Sequence, residues 1–434
     1  MSAIAPTIDM RRTLAILMAG GEGSRLNVLV HRRAKPAVSF GAIYRIIDFA
    51  LSNVMNSGLE RIGILTQYMP YSLADHIGIG ESWGILGRSR EARILPPHTG
   101  TRAADWYRGT ADAVFRNMDY VNRYHPASVL ILSGDHVYNM NYARMVGEHL
   151  NTGADVTIAV REVPIEEAPN FGTVLTDATG RITGFEEKPE KPRSNLISMG
   201  IYVFRRSVLT EELQEVVGQQ GLTDFGKHVF PQMLARERHM QAFRFTGYWQ
   251  DVGTIRAYYD AQMELLQPNS PIDLAEWQVR TNWNEARTGD RPPAHFAPTA
   301  RAGNAIVGNG AVIGGEVHQS ILSPGVVVEP GAIVERSILM HDVRVASGAR
   351  VRDAILDKEV SVESDCQVGG VGESVRNVRY PSHLDTGLVL IGKGASLPPG
   401  SIVERNAILF PGVTLPRGDR SHVWAGETIG DIDH

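Results

Sequence analysis

Three glycines within four positions follow a short apolar run near the amino terminus, and an arginine stands two residues after the last of them. The run at residues 14–18 is typical of a buried strand, and Gly20, Gly21 and Gly23 predict a tight loop whose bare backbone can approach a ligand closely. Such a loop offers N–H groups to phosphate oxygens, and Arg25 adds a charge-assisted contact. The pattern favours binding of a nucleotide triphosphate, although a strand followed by glycines is also an ordinary turn.

A basic run at residues 31–35 follows this loop and ends before a proline that discourages helix. We expect Lys35 to lie beside the glycine loop as a second phosphate contact, which leaves Arg32 and Arg33 for another anion. The alternative is a run of solvated surface charges.

A carboxylate, Asp135, follows the apolar run at residues 129–133. At a strand end a lone carboxylate is usually a turn or cap residue. Beside phosphate donors it would instead bind the Mg²⁺ that accompanies a triphosphate, because Mg²⁺ typically uses one or two carboxylates plus phosphate oxygens. Asp251 is the candidate for a second ligand.

Short apolar strands alternate with helical stretches through the first half of the chain. The runs at 14–18, 62–65 and 129–133 are predicted strands, and residues 46–55 carry apolar side chains at helical spacing. This alternation predicts a parallel sheet covered on both faces, with ligands beyond the carboxyl ends of its strands. Gln67 would then lie at the same edge as the glycine loop and could read a base edge through its amide.

A further helical stripe begins near residue 113, and Thr110 is a suitable N-cap for it. Its N-terminus, aimed at the strand ends, would add an anion site together with Tyr107 and Gly109. An ordinary helix cap is the alternative.

The chain between the two candidate metal ligands mixes strand residues with isolated polar ones. The relevant stretches are 171–172, 185–189, 198–202 and 224–227. They suit a second, hydroxyl-rich ligand, with Lys188 free to meet its phosphate and carboxylates to accept from its hydroxyls. An exposed turn is the alternative for the Glu-Glu-Lys-Pro segment.

Composition limits the classes of protein to which the chain can belong. At 434 residues it is long enough for two or three domains, and a net charge of −5 offers no general basic surface for nucleic acid. Nowhere do eighteen apolar residues run together, so we expect no membrane span. The single cysteine, Cys366, excludes an internal disulfide and favours a reducing, cytoplasmic location.

The last third of the chain contains an internal repeat at a spacing of seventeen. Equivalent positions include Gly314, Gly331 and Gly348; Val317, Val334 and Val351; Ile321, Ile338 and Ile355; Leu322, Leu339 and Leu356; and Val328, Val345 and Val362. Short strands with glycine or proline at the corners predict a parallel β-helix, interrupted near residues 369–386. Proline-rich residues 267–298 predict a linker between residues 1–266 and residues 299–434.

Eleven motifs stand in a fixed order along the chain. They lie at residues 17–26, 33–37, 45–49, 51–53, 66–68, 106–113, 134–136, 187–189, 198–202, 224–227 and 251–254. Together they resemble the bacterial ADP-glucose pyrophosphorylases, also called glucose-1-phosphate adenylyltransferases, over nearly the full chain. The resemblance implies a Rossmann-like nucleotidyltransferase domain followed by a left-handed parallel β-helix. It also implies a homotetramer that forms ADP-glucose and pyrophosphate from ATP and glucose 1-phosphate, the committing step of bacterial glycogen synthesis.

The resemblance also implies residue roles. ATP would contact Gly20, Gly21, Arg25, Gln67, Tyr107, Gly109 and Thr110. Glucose 1-phosphate would contact Gly172, Glu187, Lys188, Ser198, Tyr202, Asp224 and Trp249. Asp135 and Asp251 would hold Mg²⁺, and Arg25, Lys35 and Asp135 would be catalytic. An anionic activator would bind Arg32, Arg33 and Arg45.

Two departures from the family pattern bear on these roles. Glu22 stands where the family usually has arginine or lysine, which puts a negative charge beside the expected phosphates. In the activator segment, Arg32 replaces the usual lysine and Ser39 replaces the usual histidine, so the identity of the activator stays open.

Three alternative functions stay open at this point. They are a pyrophosphorylase that uses another nucleotide, a non-catalytic regulatory subunit and an acyltransferase carried by the β-helix. The joint presence of Arg25, Lys35, Asp135, Lys188 and Asp251 argues against the regulatory subunit. No acyl-carrier signature accompanies the repeat histidines, so we interpret the β-helix as an element of assembly and regulation.

Overall fold

The computed structural model describes residues 8–97, 106–284, 289–418 and 421–430. Residues 1–7 and 431–434, the outer ends of the two predicted domains, lie outside these ranges. The division at 266 and 299 stays a prediction. No helix within the described ranges combines the length and apolar character needed to cross a bilayer.

Within the described residues, the first part of the chain holds a main sheet of nine strands, two smaller sheets of two strands each, and helices that flank them. Its strands are β1 Thr13–Met18, β2 Ser39–Phe40, β3 Tyr44–Arg45, β4 Arg61–Leu65, β5 Glu91–Leu95, β6 Ser128–Ser133, β7 His136–Tyr138, β8 Val156–Glu162, β9 Gly172–Thr176, β10 Ile182–Glu187, β11 Leu196–Arg205, β12 Met240–Arg244 and β13 Trp249–Asp251. Its α-helices are α1 Ile46–Asn56, α2 Tyr71–Ile77, α3 Thr110–Arg116, α4 Met118–Tyr124, α5 Tyr142–Thr152, α6 Arg206–Leu213, α7 Phe230–Ala235 and α8 Ile255–Glu264.

The centre of the main sheet is β1, which pairs in parallel with β4 and β6. The strand β11 runs antiparallel to β6 and β8, and β9 and β10 extend from it. Successive residues of β1 alternate between two cores: Ala15 and Leu17 pack on one face, Leu14 and Ile16 on the other. Because both faces are covered, the run is continuously apolar, as the sequence indicated. Because β1 and β6 run in parallel, the glycine loop and Asp135, which follow them, emerge at the same edge of the sheet.

The last part of the chain is an all-parallel solenoid. Its strands are β14 His295–Phe296, β15 Arg301–Val307, β16 Val312–Ile313, β17 Glu316–Leu322, β18 Val327–Val328, β19 Ile333–Glu335, β20 Ile338–Leu339, β21 Arg344–Val345, β22 Arg350–Arg352, β23 Ala354–Leu356, β24 Ser361–Val362, β25 Gln367–Val368, β26 Val389–Ile391, β27 Ser396–Leu397, β28 Ile402–Val403, β29 Ile408–Leu409, β30 His422–Val423 and β31 Thr428–Ile429.

The register of this solenoid reproduces the spacing of seventeen. Val317 pairs with Val334, which pairs with Val351, and these side chains fill the solenoid interior. Residues 369–388, where the repeat breaks off, contain no strand. The fold class predicted from the sequence, a Rossmann-like domain followed by a parallel β-helix, is confirmed.

One solenoid face packs on the first part of the chain. Ile338, Ile355 and Leu390 belong to the same buried apolar cluster as Leu26, which follows the glycine loop. Burying such side chains contributes about 1.5 to 3 kcal/mol each. The face therefore holds the two parts together close to the candidate site.

Candidate active site

Six of the seven residues predicted to contact ATP line one cavity, and Arg25 is the exception. The cavity has a volume of about 210 Å³ and lies beyond the ends of β1 and β4. Its predicted members are Gly20, Gly21, Gln67, Tyr107, Gly109 and Thr110, joined by Met18, Leu65 and Ala113. The apolar wall suits a flat aromatic base, and the glycines suit phosphates.

The walls of this nucleotide cavity require glycine at two positions. A Cβ on Gly20 would lie 2.9 Å from the Cβ of Gln67, and a Cβ on Gly109 would overlap the carbonyl oxygen of Thr223. The amide of Gln67 is engaged by Tyr107: Oε1 accepts from its backbone N–H at 2.8 Å, and Nε2 donates to its carbonyl at 3.4 Å. Gln67 thus shapes the Tyr107 loop with both ends of its amide.

The prediction that Thr110 caps its own helix is wrong. The N-cap of α3 is Gly109, which has no side chain, and the carbonyl of Thr223 accepts from the first free N–H groups, at 2.9 Å from Ala111. The start of α3 therefore offers less to an anion than the sequence indicated. The Thr110 hydroxyl instead donates to Asp224 at 3.2 Å and accepts from the N–H of Phe225.

Lys35 lies between the two predicted metal ligands. Its Nζ donates to Oδ2 of Asp135 at 3.0 Å and to Oδ1 of Asp251 at 2.7 Å, although these residues are 100 and 216 positions apart from it. The antiparallel pair β7 and β13 sets this geometry, because Asp251 pairs with His136, the neighbour of Asp135. The Lys35 side chain is only 5% exposed, whereas Asp135 is 30% exposed.

The charges of this cluster stabilise one another. Burial opposes ionisation of Asp135, but Lys35, His136 and a hydrogen bond from Ser133 lower the pKa of its carboxyl below the usual value. Burial likewise opposes the charge of Lys35, but Asp135 and Asp251 raise the pKa of its ammonium group. The carboxylate of Asp135 and the ammonium of Lys35 are therefore charged at neutral pH.

The donor set fits a divalent cation. One ligand atom each from Asp135, His136 and Asp251 lies within 4.8 Å of the others, and the ammonium of Lys35 already occupies a cation position between the carboxylates. Carboxylate oxygens are hard ligands of the kind that Mg²⁺ uses. Sequence reasoning missed His136, whose Nε2 lies 3.4 Å from Oδ1 of Asp135. The available signal was its place directly after Asp135.

Arg25 approaches the cluster from its exposed side. A Cβ on Gly253 would lie 3.0 Å from Nη2 of Arg25 and 2.9 Å from Oδ1 of Asp251, so this glycine leaves room for both groups. The three residues border an open cavity of about 430 Å³ that also contacts Phe171 and Arg256. Glu22 is exposed. Burial raises the pKa of Tyr68, and the charge of the nearby Glu22 carboxylate raises it further.

The predicted sugar-phosphate residues form a second cluster beside the first. Gly172 pairs with Glu187 across β9 and β10, and the Glu187 carboxylate fills the space that a Cβ on Gly172 or Gly226 would need. Burial and the neighbouring Asp224 raise the pKa of Glu187, while Lys188 and Lys227 oppose this shift. The lysine side chain at 188 is exposed and free to reach a phosphate.

Tyr202 and Ser198 lie on β11, next to this cluster. Burial raises the pKa of Tyr202, and a hydrogen bond with Ser198 partly offsets the shift. Between them, Gly200 has a positive φ of 70°, and a Cβ there would lie 3.9 Å from Cε1 of His136. The sugar-phosphate cluster thus adjoins the cation cluster directly.

Trp249 forms the wall between the two clusters. Its ring centroid lies 5.0 Å from that of His136 and 5.6 Å from that of Phe171. Arg161 stacks over the indole and donates to the Trp249 carbonyl at 3.0 Å. The indole N–H is buried with no partner among the described residues, so it is a free donor at the site.

The three predicted activator residues line one cavity of about 310 Å³ between the two parts of the chain. Arg32, Arg33 and Arg45 meet Lys358 and Lys393 of the solenoid there. Arg45 donates to the carbonyl and hydroxyl of Ser72 at 2.8 and 2.9 Å, and Arg33 makes a buried ion pair with Asp357 at 2.7 Å. Sequence reasoning missed the two lysines, which lie on neighbouring coils of the solenoid, far along the chain from the arginines.

Comparison with known proteins agrees with this architecture. A family described as nucleotidyl transferase matches residues 14–268, and the family described as GlmU-like, C-terminal hexapeptide matches residues 292–391. A glucose-1-phosphate adenylyltransferase of Thermotoga neapolitana is 48% identical over 93% of this chain and 95% of its own length. The chain belongs to the glucose-1-phosphate adenylyltransferase family. The predicted family and left-handed hexapeptide β-helix are thereby confirmed.

Other members of the family match over similar lengths. The glucose-1-phosphate adenylyltransferase of Thermotoga maritima is 47% identical over 94% of this chain and 98% of its own length. The glucose-1-phosphate adenylyltransferase of Lachnospira eligens is 46% identical over 94% of this chain and 96% of its own length. As a member of this family the chain is a nucleotidyltransferase, and enzymes of this kind generally use a divalent metal.

Proposed function

We propose that the chain is a cytoplasmic enzyme that transfers the adenylyl group of ATP to glucose 1-phosphate, with Mg²⁺, and releases ADP-glucose and pyrophosphate. The observation that carries the proposal is the hydrogen bond of 3.2 Å from Thr110, in the nucleotide cavity, to Asp224, in the sugar-phosphate cluster. It supports two ligands that lie side by side, with their reacting groups beside Lys35 and Asp135.

The chemistry needs little from the protein beyond positioning and charge. A sugar phosphate carries about 1.5 to 2 negative charges at neutral pH, so its oxygen is a nucleophile without a general base. It attacks the α-phosphorus of ATP in line, the bond to the bridging oxygen breaks, and pyrophosphate leaves with that electron pair. Lys188 would hold the attacking phosphate and the carboxylate of Glu187 the sugar hydroxyls.

Positive charge around the α-phosphate accounts for the remaining catalysis. Arg25 and Lys35 would stabilise the charge that develops on the phosphoryl oxygens. Mg²⁺, held by Asp135 and Asp251, would neutralise phosphate charge and orient the leaving group. No covalent intermediate with the enzyme is expected.

Nucleotide choice is the decisive test. Pyrophosphate release is measured with Mg²⁺, glucose 1-phosphate and each of ATP, UTP, GTP and dTTP. A strong preference for ATP supports the proposal, and a preference for another nucleotide assigns the chain to a different pyrophosphorylase activity. If no pyrophosphate is released with any of the four nucleotides, even with candidate activators, a regulatory subunit would be favoured. Glu22 would then be the residue expected to account for the lost activity.

We also propose that the cavity of Arg32, Arg33 and Arg45 binds an anionic activator. Arg32 is exposed there, and Lys358 and Lys393 add positive charge, whereas Arg33 is already paired with Asp357. A panel of phosphorylated glycolytic metabolites should therefore raise the activity of the wild type but not of Arg32→Gln. Arg88→Gln, an exposed arginine away from the cavity, is the control. If none of these metabolites changes the activity of the wild type, the proposal of an anionic activator is rejected.

The homotetramer stays a separate proposal, supported by the family resemblance alone. The solution mass from light scattering would test it directly. A mass of four chains supports the proposal, and a monomer or dimer rejects it.

A further inference from the structure

Arg161 is a partly buried arginine of the catalytic part that forms no ion pair among the described residues. It lies near the end of β8, opposite Ile197 of β11, and its Nε–H is buried without a hydrogen-bond partner there. Burial lowers the pKa of its guanidinium, and Glu167 and Tyr248 only partly oppose this shift. Because burying a charge is costly, the contacts that Arg161 does make should indicate its role.

The contacts of Arg161 go to the segment at the start of β13. Its Nη1 donates to the carbonyl of Trp249 at 3.0 Å and to the carbonyl of Gly247 at 3.5 Å. Its Cζ lies 5.6 Å from the centroid of the Trp249 ring, which is a cation–π contact. An arginine can make both contacts at once because its guanidinium has a flat face and a fork of donors.

The indole of Trp249 has no hydrogen bond of its own to fix its orientation. Its Nε1 is buried with no partner among the described residues. Three neighbours hold the ring instead: the side chains of His136, Phe171 and Arg161. Arg161 contacts the ring and also the carbonyl of Trp249, so it couples the orientation of the indole to the main chain.

The strand that carries Trp249 has supports that do not involve Arg161. Trp249 pairs with Tyr138 across β13 and β7, and Asp251 pairs with His136. Asp251 also accepts a hydrogen bond of 2.7 Å from Lys35. Loss of Arg161 should therefore loosen the indole while the cation cluster keeps its geometry.

We propose that Arg161 is a positioning residue for the sugar-phosphate site, which fixes the indole of Trp249 in the wall where the substrate binds. The inference rests on the proposed function, because it needs glucose 1-phosphate at this wall. Direct attraction of the substrate phosphate by the charge of Arg161 is the competing explanation. Lysine would preserve that attraction, but it lacks the planar fork that holds the indole.

Steady-state kinetics of the full-length protein with ATP and Mg²⁺ tests the proposal. Arg161→Met keeps most of the stem, and it should raise the KM for glucose 1-phosphate about tenfold, as the loss of one hydrogen bond from a charged group would. The kcat should change less than about twofold, because the cation cluster is intact. Arg161→Lys should show most of the same rise in KM. A wild-type KM in either variant, or a fall in kcat alone, overturns the proposal.

A matched control and a double variant sharpen the kinetic test. Arg244→Met removes an exposed arginine from the neighbouring strand β12, where it pairs with Glu162 at 3.0 Å, and should have wild-type kinetics. If Arg161 acts through the indole, Arg161→Met should raise the KM no further once Trp249→Ala has removed the ring. An equal rise in KM with and without the indole overturns the proposal.

Near-ultraviolet circular dichroism tests the placement of the indole without turnover. Arg161→Met should change the tryptophan signal of the wild type, which contains six tryptophans. In a Trp249→Phe background the same substitution should leave the signal unchanged. An unchanged wild-type signal, or an equal change in both backgrounds, rejects the role of Arg161. A wild type that releases no pyrophosphate rejects the proposed function instead.

Discussion

The Nη2 atom of Arg33 lies 2.7 Å from Oδ2 of Asp357, and both side chains are almost completely buried. The two residues are 324 positions apart and belong to different parts of the chain. Lys35, only two residues after Arg33, contacts Asp135 and Asp251. One short segment thus joins the solenoid to the catalytic cluster.

Breaking this ion pair should destabilise the fold. Asp357→Asn leaves the guanidinium of Arg33 buried without its counter-charge, which typically costs about 3 to 5 kcal/mol. The double variant Arg33→Met with Asp357→Leu should recover most of that loss, because it leaves no buried charge. Urea unfolding measures both, with Glu373→Gln, an exposed solenoid carboxylate, as the control. Equal stability of wild type and Asp357→Asn would contradict the prediction.

Asp135→Asn should act mainly on turnover. The change removes one negative charge from the cation cluster, so we expect kcat to fall about 100-fold or more, as when one preorganised electrostatic group is lost. The KM for glucose 1-phosphate should change little, because the sugar-phosphate cluster is intact. Asp119→Asn, on the exposed surface of α4, is the matched control. If Asp135→Asn had the kcat of the wild type, Asp135 would not be a catalytic residue.

Lys188→Gln should act mainly on substrate affinity. Loss of a charge-assisted hydrogen bond of about 1.5 to 3 kcal/mol to the sugar phosphate should raise its KM roughly 10- to 100-fold. Steady-state kinetics separates this effect from kcat. Lys191→Gln removes an exposed lysine three residues further on and should have wild-type kinetics. Equal behaviour of the two variants would refute the role of Lys188.

Glu22→Arg should improve binding of the nucleotide. The exposed carboxylate beside the glycine loop repels a triphosphate, and its reversal is worth about 1 kcal/mol at such a position, or roughly a fivefold lower KM for ATP. The gain should shrink between about 0.1 M and about 1 M salt, where the Debye length falls from about 10 to about 3 Å. Glu22→Gln should give a smaller gain. A KM that is independent of charge would show that Glu22 points away from the phosphates.

His149 should make the fold acid-sensitive. Burial and the charge of Arg205 lower its pKa from 6.5 to about 4, while its Nδ1 shares a hydrogen bond of 2.9 Å with Thr157. Because the unfolded chain takes up the proton first, stability falls as the pH drops from 6.5 to about 4, by up to about 3 kcal/mol in total.

His149→Gln tests this slope by urea unfolding across that pH range. The variant should lose less stability on acidification than the wild type, whatever its stability at neutral pH. His295→Gln, which changes an exposed histidine, should keep the wild-type slope. Parallel pH profiles for wild type and His149→Gln would count against the prediction.

Local patterns in the sequence were enough to predict the two architectures. The apolar run before Gly20 predicted a central strand because a sheet covered on both faces needs continuous apolar residues. The spacing of seventeen predicted the solenoid because each coil repeats the same inward positions, and Val317, Val334 and Val351 do pair in that register. The family motifs predicted the residues that line the nucleotide cavity.

Tertiary structure alone decided how these residues are used. The carbonyl of Thr223, more than a hundred residues away, meets the start of α3, and this excluded the cap that Thr110 was expected to form. The place of Lys35 between two carboxylates depends on the register of β13. The cavity that Arg32 shares with Lys358 and Lys393 depends on the packing of the solenoid face. Such contacts join residues that are distant along the chain, and no local period or propensity encodes them.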